Sequence, residues 1–251
     1  MTPAERAGYL AHSRTLAFQR RLDEARRAIE AWRRVTTRRF VSYSAGKDSE
    51  VVLHLARQDE PQLLAVWSDD EFNLPETLAQ LERTPNLHRI AARVWHAEWF
   101  TAWADGPARV PPGTEWVEPI AGQFGLAAWA IRHGYDGVAI GLRAQESADR
   151  RRNARRRGTL HQLRETGVWH AYPLAWWRTE DVWAYLVSRE VPYNAAYDRL
   201  SAIGVPAARQ RIGPFAVERV LQFGALSDLR RGWPEEFARF AARFPDARRL
   251  S

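Results

Sequence analysis

Phe40-Val41-Ser42-Tyr43-Ser44-Ala45-Gly46-Lys47-Asp48-Ser49 is the stretch on which the fold turns. Apolar residues lead in, a loop of small residues follows, and Glu50-Val51-Val52-Leu53-His54-Leu55-Ala56 reads as a helix directly after it. A strand, a small-residue loop and a helix start together make a phosphate cradle. Ala45 and Gly46 let backbone approach an anion, and the helix directs its free N–H groups and positive dipole end at it. Ser44 and Ser49 add hydroxyl donors, and Lys47 adds a point charge. Lys47 is the only lysine in the chain; every other Lys/Arg-type cation is Arg. The Gly-x4-Gly-Lys spacing of a Walker loop is absent.

The helices and strands around the loop alternate. Residues 4 to 34 read as one amphipathic helix, with Phe18, Leu22, Ala25, Ile29 and Trp32 on one face. Strands are expected over 39–43, 62–67, 91–95, 136–140 and 170–174. Helices are expected from an opening segment at 72–77 through about Arg83, from 123 to 133 and from 179 to 189, the last capped by Thr179, with a Pro/Gly-rich loop over 103–119. This alternation predicts a doubly wound, mainly parallel five-stranded sheet with N- and C-terminal helical extensions. Boundaries are expected at 1–36, 37–200 and 201–251. From Ile212 the chain reads as helices, one capped by Pro214 and one starting at Trp233-Pro234-Glu235-Glu236. Phe237, Phe240 and Phe244 share a face there, suited to core packing or to a dimer contact.

In doubly wound sheets ligands bind beyond the carboxyl ends of the strands. The loop after the first strand, Ser68-Asp69-Asp70 after the second and Gly141-Leu142-Arg143 after the fourth would meet there. The sequence of 251 residues is 45% hydrophobic, enough for a sizeable core. It contains no cysteine, which excludes disulfides, a thiolate nucleophile, an iron–sulfur cluster and a cysteine-built zinc site. The seven histidines show no metal spacing, so no zinc is expected. No apolar run approaches a membrane span and no signal-peptide core is evident, so a cytoplasmic protein without a membrane partner is expected. The net charge of +7 favours an anionic partner or marks an Arg-rich background. Arg150-Arg151-Arg152-Asn153-Ala154-Arg155-Arg156-Arg157 is the densest charge run. It reads as a lid over polyphosphate, a contact to nucleic-acid backbone, or a solvated basic segment. For the tryptophans, Trp176, Trp177 and Trp183 among them, core packing is expected over base stacking.

Several segments resemble one family. Ser44-Ala45-Gly46-Lys47-Asp48-Ser49 is similar to the Ser-Gly-Gly-x-Asp-Ser loop of the PP-loop ATP pyrophosphatases, with Ala45 replacing the first Gly. Phe72-Asn73-Leu74-Pro75-Glu76-Thr77 resembles the Phe-Pro-Glu-Thr segment of phosphoadenosine phosphosulfate (PAPS) reductases. Gly141-Leu142-Arg143 through Glu146-Ser147 and Arg150 is similar to their Gly-x-Arg-x-x-(Glu/Gln)-Ser-x-x-Arg. Pro173-Leu174 through Trp177, Asp181-Val182-Trp183, Tyr185 and Leu186 continues the pattern, as do Val191-Pro192-Tyr193-Asn194 and Tyr197-Asp198. The resemblance spans about residues 40 to 200. It implies the adenine nucleotide alpha hydrolase fold and chemistry at an adenine nucleotide, ATP or PAPS.

The implied nucleotide- and phosphate-binding residues are Ser42, Ser44, Ala45, Gly46, Lys47, Asp48, Ser49, Ser68, Asp69, Gly141, Arg143, Ser147 and Arg150. Of these, Lys47, Asp48 and Arg143 would be catalytic, and Asp48 or Asp69 would help hold Mg²⁺ brought with ATP. Arg143 could instead pair with Glu146; Arg209 and Arg211 could reach the nucleotide. PAPS reductases attack sulfur with a cysteine, and here Ser201-Ala202-Ile203-Gly204-Val205-Pro206 stands where the family often has Ile-Gly-Cys. Cysteine-dependent reduction by this chain alone is therefore not expected. What remains is attack on the α-phosphate with release of pyrophosphate, by sulfate or another acceptor. The alternatives are a nucleotide-binding regulator of a partner protein and a nucleic-acid modification component, the latter less favoured. A homodimer is open.

Overall fold

The computed structural model describes residues 1–97, 100–213 and 224–249. The chain opens with two helices rather than the expected single one. α1 (Pro3–Ser13) starts in a capping box, in which Thr2 Oγ1 accepts the Glu5 N–H and the Glu5 carboxylate accepts the Thr2 N–H. α2 (Leu16–Val35) restarts because the Thr15 hydroxyl accepts the Phe18 N–H and caps a new helix. Hydrophobic periodicity persists across the break, so it hid the cap.

Seven strands form the main sheet, in the order β6-β3-β2-β1-β7-β9-β8. They are β1 (Arg39–Ser42), β2 (Leu64–Asp69), β3 (Leu87–Ala91), β6 (Glu115–Trp116), β7 (Gly137–Ile140), β8 (Leu160–Gln162) and β9 (Trp169–Ala171). All pairings are parallel except that of β8 with β9. The doubly wound architecture is the expected one, with two more edge strands than predicted. β6 and β8 are too short for alternation to reveal them. The third strand lies earlier than the expected 91–95; Val94–Ala97 instead forms β4, which pairs antiparallel with β5 (Phe100–Ala102) in a separate hairpin.

Alternation along the strands splits the core in two. Phe40, Val66, Ile90 and Val138 face α5 (Gly125–Arg132) and pack with Ala128 and Trp129. Val41, Ala65, Ala91, Ala139 and Ala171 face the other way, into a cluster with α2, α3 (Lys47–Arg57) and α7 (Thr179–Ser188). Their small side chains leave room for Trp32, Trp177 and Trp183, all buried. Trp176 is half-exposed. α7 is capped at Arg178, one residue before the expected Thr179.

Helices α4 (Pro75–Glu82), α6 (Ala148–Arg157), α8 (Ala196–Ala202), α9 (Ala225–Gly232) and α10 (Pro234–Arg243) complete the described elements. The Phe237 and Phe240 face of α10 is core: Phe240 meets Phe72 at 5.0 Å between ring centroids, and Phe244 meets Phe100 at 4.6 Å. The expected cap at Pro214 lies outside the described residues. Among those described, no helix is long and apolar enough to cross a membrane.

Candidate functional site

β1 is flanked by β2 on one side and β7 on the other. Chain order runs outward from β1 through β2 and β3, then returns to its other side at β7. That reversal is the topological switch point of the sheet, where doubly wound folds open a crevice. The 44–49 loop leaves β1 there, and Gly141-Leu142-Arg143 leaves β7 beside it.

The loop is held tightly. Ala45 has φ 53°, the left-handed region that its glycine equivalent would enter without strain. Its carbonyl accepts from Asn194 Nδ2 at 3.4 Å, and Asn194 also donates to Thr77 Oγ1 at 3.0 Å. Gly46 caps α3. The Lys47 N–H donates to Tyr197 Oη at 3.1 Å, and Lys47 Nζ lies 5.2 Å from the Tyr197 ring centroid. Ser49 Oγ donates to the Gly46 carbonyl at 3.0 Å and accepts the Ser44 N–H at 3.2 Å. Ser44 is exposed at the loop surface. At positions 48 and 49 the helix supplies no acceptor for the backbone N–H groups, which are the anion-binding donors of a first turn.

Asp48 gathers the cations. One oxygen lies 3.1 Å from Lys47 Nζ, and the other accepts from Arg143 Nε at 2.6 Å. Lys47 is 2% exposed and Arg143 1%. Burial raises the Asp48 pKa, but the charges of Lys47 and Arg143 outweigh it and hold the carboxyl below its usual range. Two buried cations therefore sit on one ionised carboxylate at the switch point. Arg143 does not spend its guanidinium on Glu146; its backbone N–H donates to that carboxylate at 3.0 Å. Glu146 instead pairs with Arg150 and lies 3.7 Å from Arg211.

Other expected residues serve the frame. Gly141 sits against α3, where a Cβ would lie 2.8 Å from the Asp48 carbonyl carbon. Ser42 and Ser68 are partly buried at the ends of β1 and β2. Ser147 caps α6 by accepting the Arg150 N–H at 3.1 Å. Asp69 does not join the Lys47 cluster. One of its oxygens accepts from the Glu71 N–H and Asn73 Nδ2, and the other from the Arg89 guanidinium, so protein donors occupy the whole carboxylate. Asp70 beside it is raised to about 7, by burial first and the Asp69 charge second. Thr77, Asn194 and Tyr197, which clamp the loop, were not predicted as site residues. Their polar side chains among apolar neighbours were the available signal.

Residues 38–213 match the phosphoadenosine phosphosulfate reductase domain family. The chain belongs to this family. Among its relatives, the PAPS reductase of Alteromonas mediterranea is 25% identical over 166 residues, covering 64% of each chain. The uncharacterized protein YbdN of Escherichia coli K12 is 25% identical over 243 residues, covering 79% of this chain and 59% of the relative. The matches thus span somewhat less than two thirds of those relatives' lengths. Among solved structures, the FMN adenylyltransferase of Candida glabrata in complex with ATP has a TM-score of 0.50 at 15% identity, covering 77% of this chain and 64% of that one. That likeness is one of fold.

Proposed function

We propose that this PAPS-reductase-family protein binds ATP or a related adenylyl nucleotide at the 44–49 loop and promotes attack on its α-phosphate. The observation that carries the reading is the buried Lys47–Asp48–Arg143 cluster at the first turn of α3. The family's named substrate is itself an adenylyl compound, which favours the same ligand class. The chain has no cysteine to take the sulfonyl group from PAPS, so the family's thiol-dependent reduction does not fit it.

In the proposed reaction an acceptor oxygen forms a bond to the α-phosphorus. The bond to the bridging oxygen breaks, and pyrophosphate leaves with that electron pair. Positioning and charge stabilisation suffice, without a protein nucleophile. The first-turn N–H groups and the Ser44 hydroxyl would hold phosphate oxygens. Lys47 and Arg143, preorganised on Asp48, would offset the charge that develops on the leaving group. Among the described residues no cluster of three or more His, Cys, Asp or Glu could hold a metal, and Asp69 is saturated. The fit is therefore to a Mg²⁺ carried mainly by phosphate oxygens with Asp48 as its protein neighbour, supplying charge neutralisation when bound. The acceptor would be sulfate or another oxyanion.

The test is pyrophosphate release from ATP with Mg²⁺ and sulfate, alongside calorimetric ATP binding. Lys47→Ala and Asp48→Ala are expected to abolish turnover. Lys47→Arg is expected to weaken ATP binding more than tenfold, because a planar guanidinium does not fit a fully buried ammonium site. Folded wild-type protein that binds no nucleotide would overturn the reading.

A further inference from the structure

A second cavity opens at the carboxyl edge of the sheet, one strand from the loop. Its volume is about 100 Å³, and it lies between α6 and the ends of β7, β8 and β9. Arg150, Asn153 and Arg157 line it from α6, at the spacing that puts residues on one helix face. His161 and Tyr172 form an opposing wall, stacked with ring centroids 5.5 Å apart. Arg143 closes the side toward Asp48.

The cations of α6 are not equivalent. Arg150 is paired with Glu146, and Arg152 with Asp149. Among the described residues Arg157 has no carboxylate partner, the Asn153 amide makes no hydrogen bond, and His161 Nδ1 is buried without a partner. Of these only His161 Nδ1 is buried; Arg157 and Asn153 are exposed and line the cavity with donors open to solvent. Burial, then the Arg157 charge, lowers the His161 pKa; burial, then His161, lowers His170 to about 4. Both rings are neutral near pH 7, so the positive charge comes from guanidinium, which suits an oxyanion geometrically.

We propose that this cavity is an oxyanion subsite distinct from the nucleotide loop, in which Arg157 and Asn153 hold the anionic acceptor against the His161–Tyr172 wall. The acceptor role rests on the adenylyl-nucleotide reading above. An anion seated there lies beside Arg143, whose Nε is bonded to the loop's Asp48. Arg143 therefore links the two sites.

The experiment is calorimetric titration of sodium sulfate and, separately, sodium benzoate into the full chain, with ATP titrated in parallel. At least one anion is expected to bind wild type. Whichever binds fixes the class as tetrahedral oxyanion or planar carboxylate. Arg157→Gln and Asn153→Asp are each expected to weaken that binding at least tenfold, with ATP affinity retained in Arg157→Gln. Lys47→Ala should lose ATP and keep the anion. If neither anion binds, if binding survives both α6 substitutions, or if it disappears with Lys47→Ala, the subsite is refuted. Wild type that binds ATP but no anion removes the subsite alone. Wild type that binds the anion but no ATP removes the acceptor role along with the nucleotide reading.

Discussion

Gly141 has no room for a methyl group. A Cβ there would lie 2.8 Å from the Asp48 carbonyl carbon and 2.9 Å from the Ser49 nitrogen, both backbone atoms that cannot rotate away. Gly141→Ala is expected to cost about 1–3 kcal/mol by overpacking and to weaken nucleotide binding by moving the first turn of α3; urea unfolding and calorimetry measure the two effects. Asp70 makes a different prediction. Its folded pKa of about 7 stands above the model-peptide value of 3.8, so between those values the folded state binds more protons than the unfolded one. Its contribution to stability therefore falls as pH rises from about 4 to 7 and is level above that. Asp70→Asn should gain thermal stability over wild type progressively across this window, with no difference near pH 3. An advantage that does not change with pH would contradict the assignment. Lys47 was legible at this scale because it is the sole lysine. Tyr197, Asn194 and Thr77 were not, since nothing local says that residues 150 or 117 positions apart in sequence meet.

At the scale of elements, Asp181 ties the N-terminal helices to the sheet domain. It accepts the Arg178 N–H at 2.6 Å at the start of α7, takes Arg21 from α2 on both oxygens at 2.8 Å, and bonds His12 of α1 at 2.7 Å. The carboxylate is fully buried. Asp181→Ala leaves Arg21 and an uncapped helix start without their partner, and is expected to cost about 3 kcal/mol, read as a lower denaturation midpoint. Arg21→Ala should lose part of the same energy, and the double mutant should lose less than the sum. α6 behaves otherwise. It buries no residue, so its place depends on the Ser147 cap and ion pairs rather than on apolar packing. Periodicity finds elements that bury a stripe, which is why α3, α5, α7 and α10 were predicted. It cannot find a two-residue edge strand such as β6, nor a cap such as Thr15 inside a continuous apolar pattern.

For the whole molecule, family membership and missing chemistry point in different directions. Incubation with PAPS and a dithiol reductant is expected to yield no sulfite, because no side chain can form the sulfur–sulfur intermediate; sulfite above the protein-free background would refute this. The sequence by itself determined the alternating fold, the loop and its lone lysine, and the exclusion of thiol and cysteine-ligated metal chemistry. These are local patterns, or matters of residue type. Only the tertiary structure decided which cations meet which carboxylates. It gave Asp48 both Lys47 and Arg143, left Asp69 occupied by Arg89, and left Arg157 over a cavity without a carboxylate partner among the described residues. The reason is physical: the energy of a charge depends on its distance to other charges and on its burial, and both are set by strand order across the switch point rather than by position along the chain.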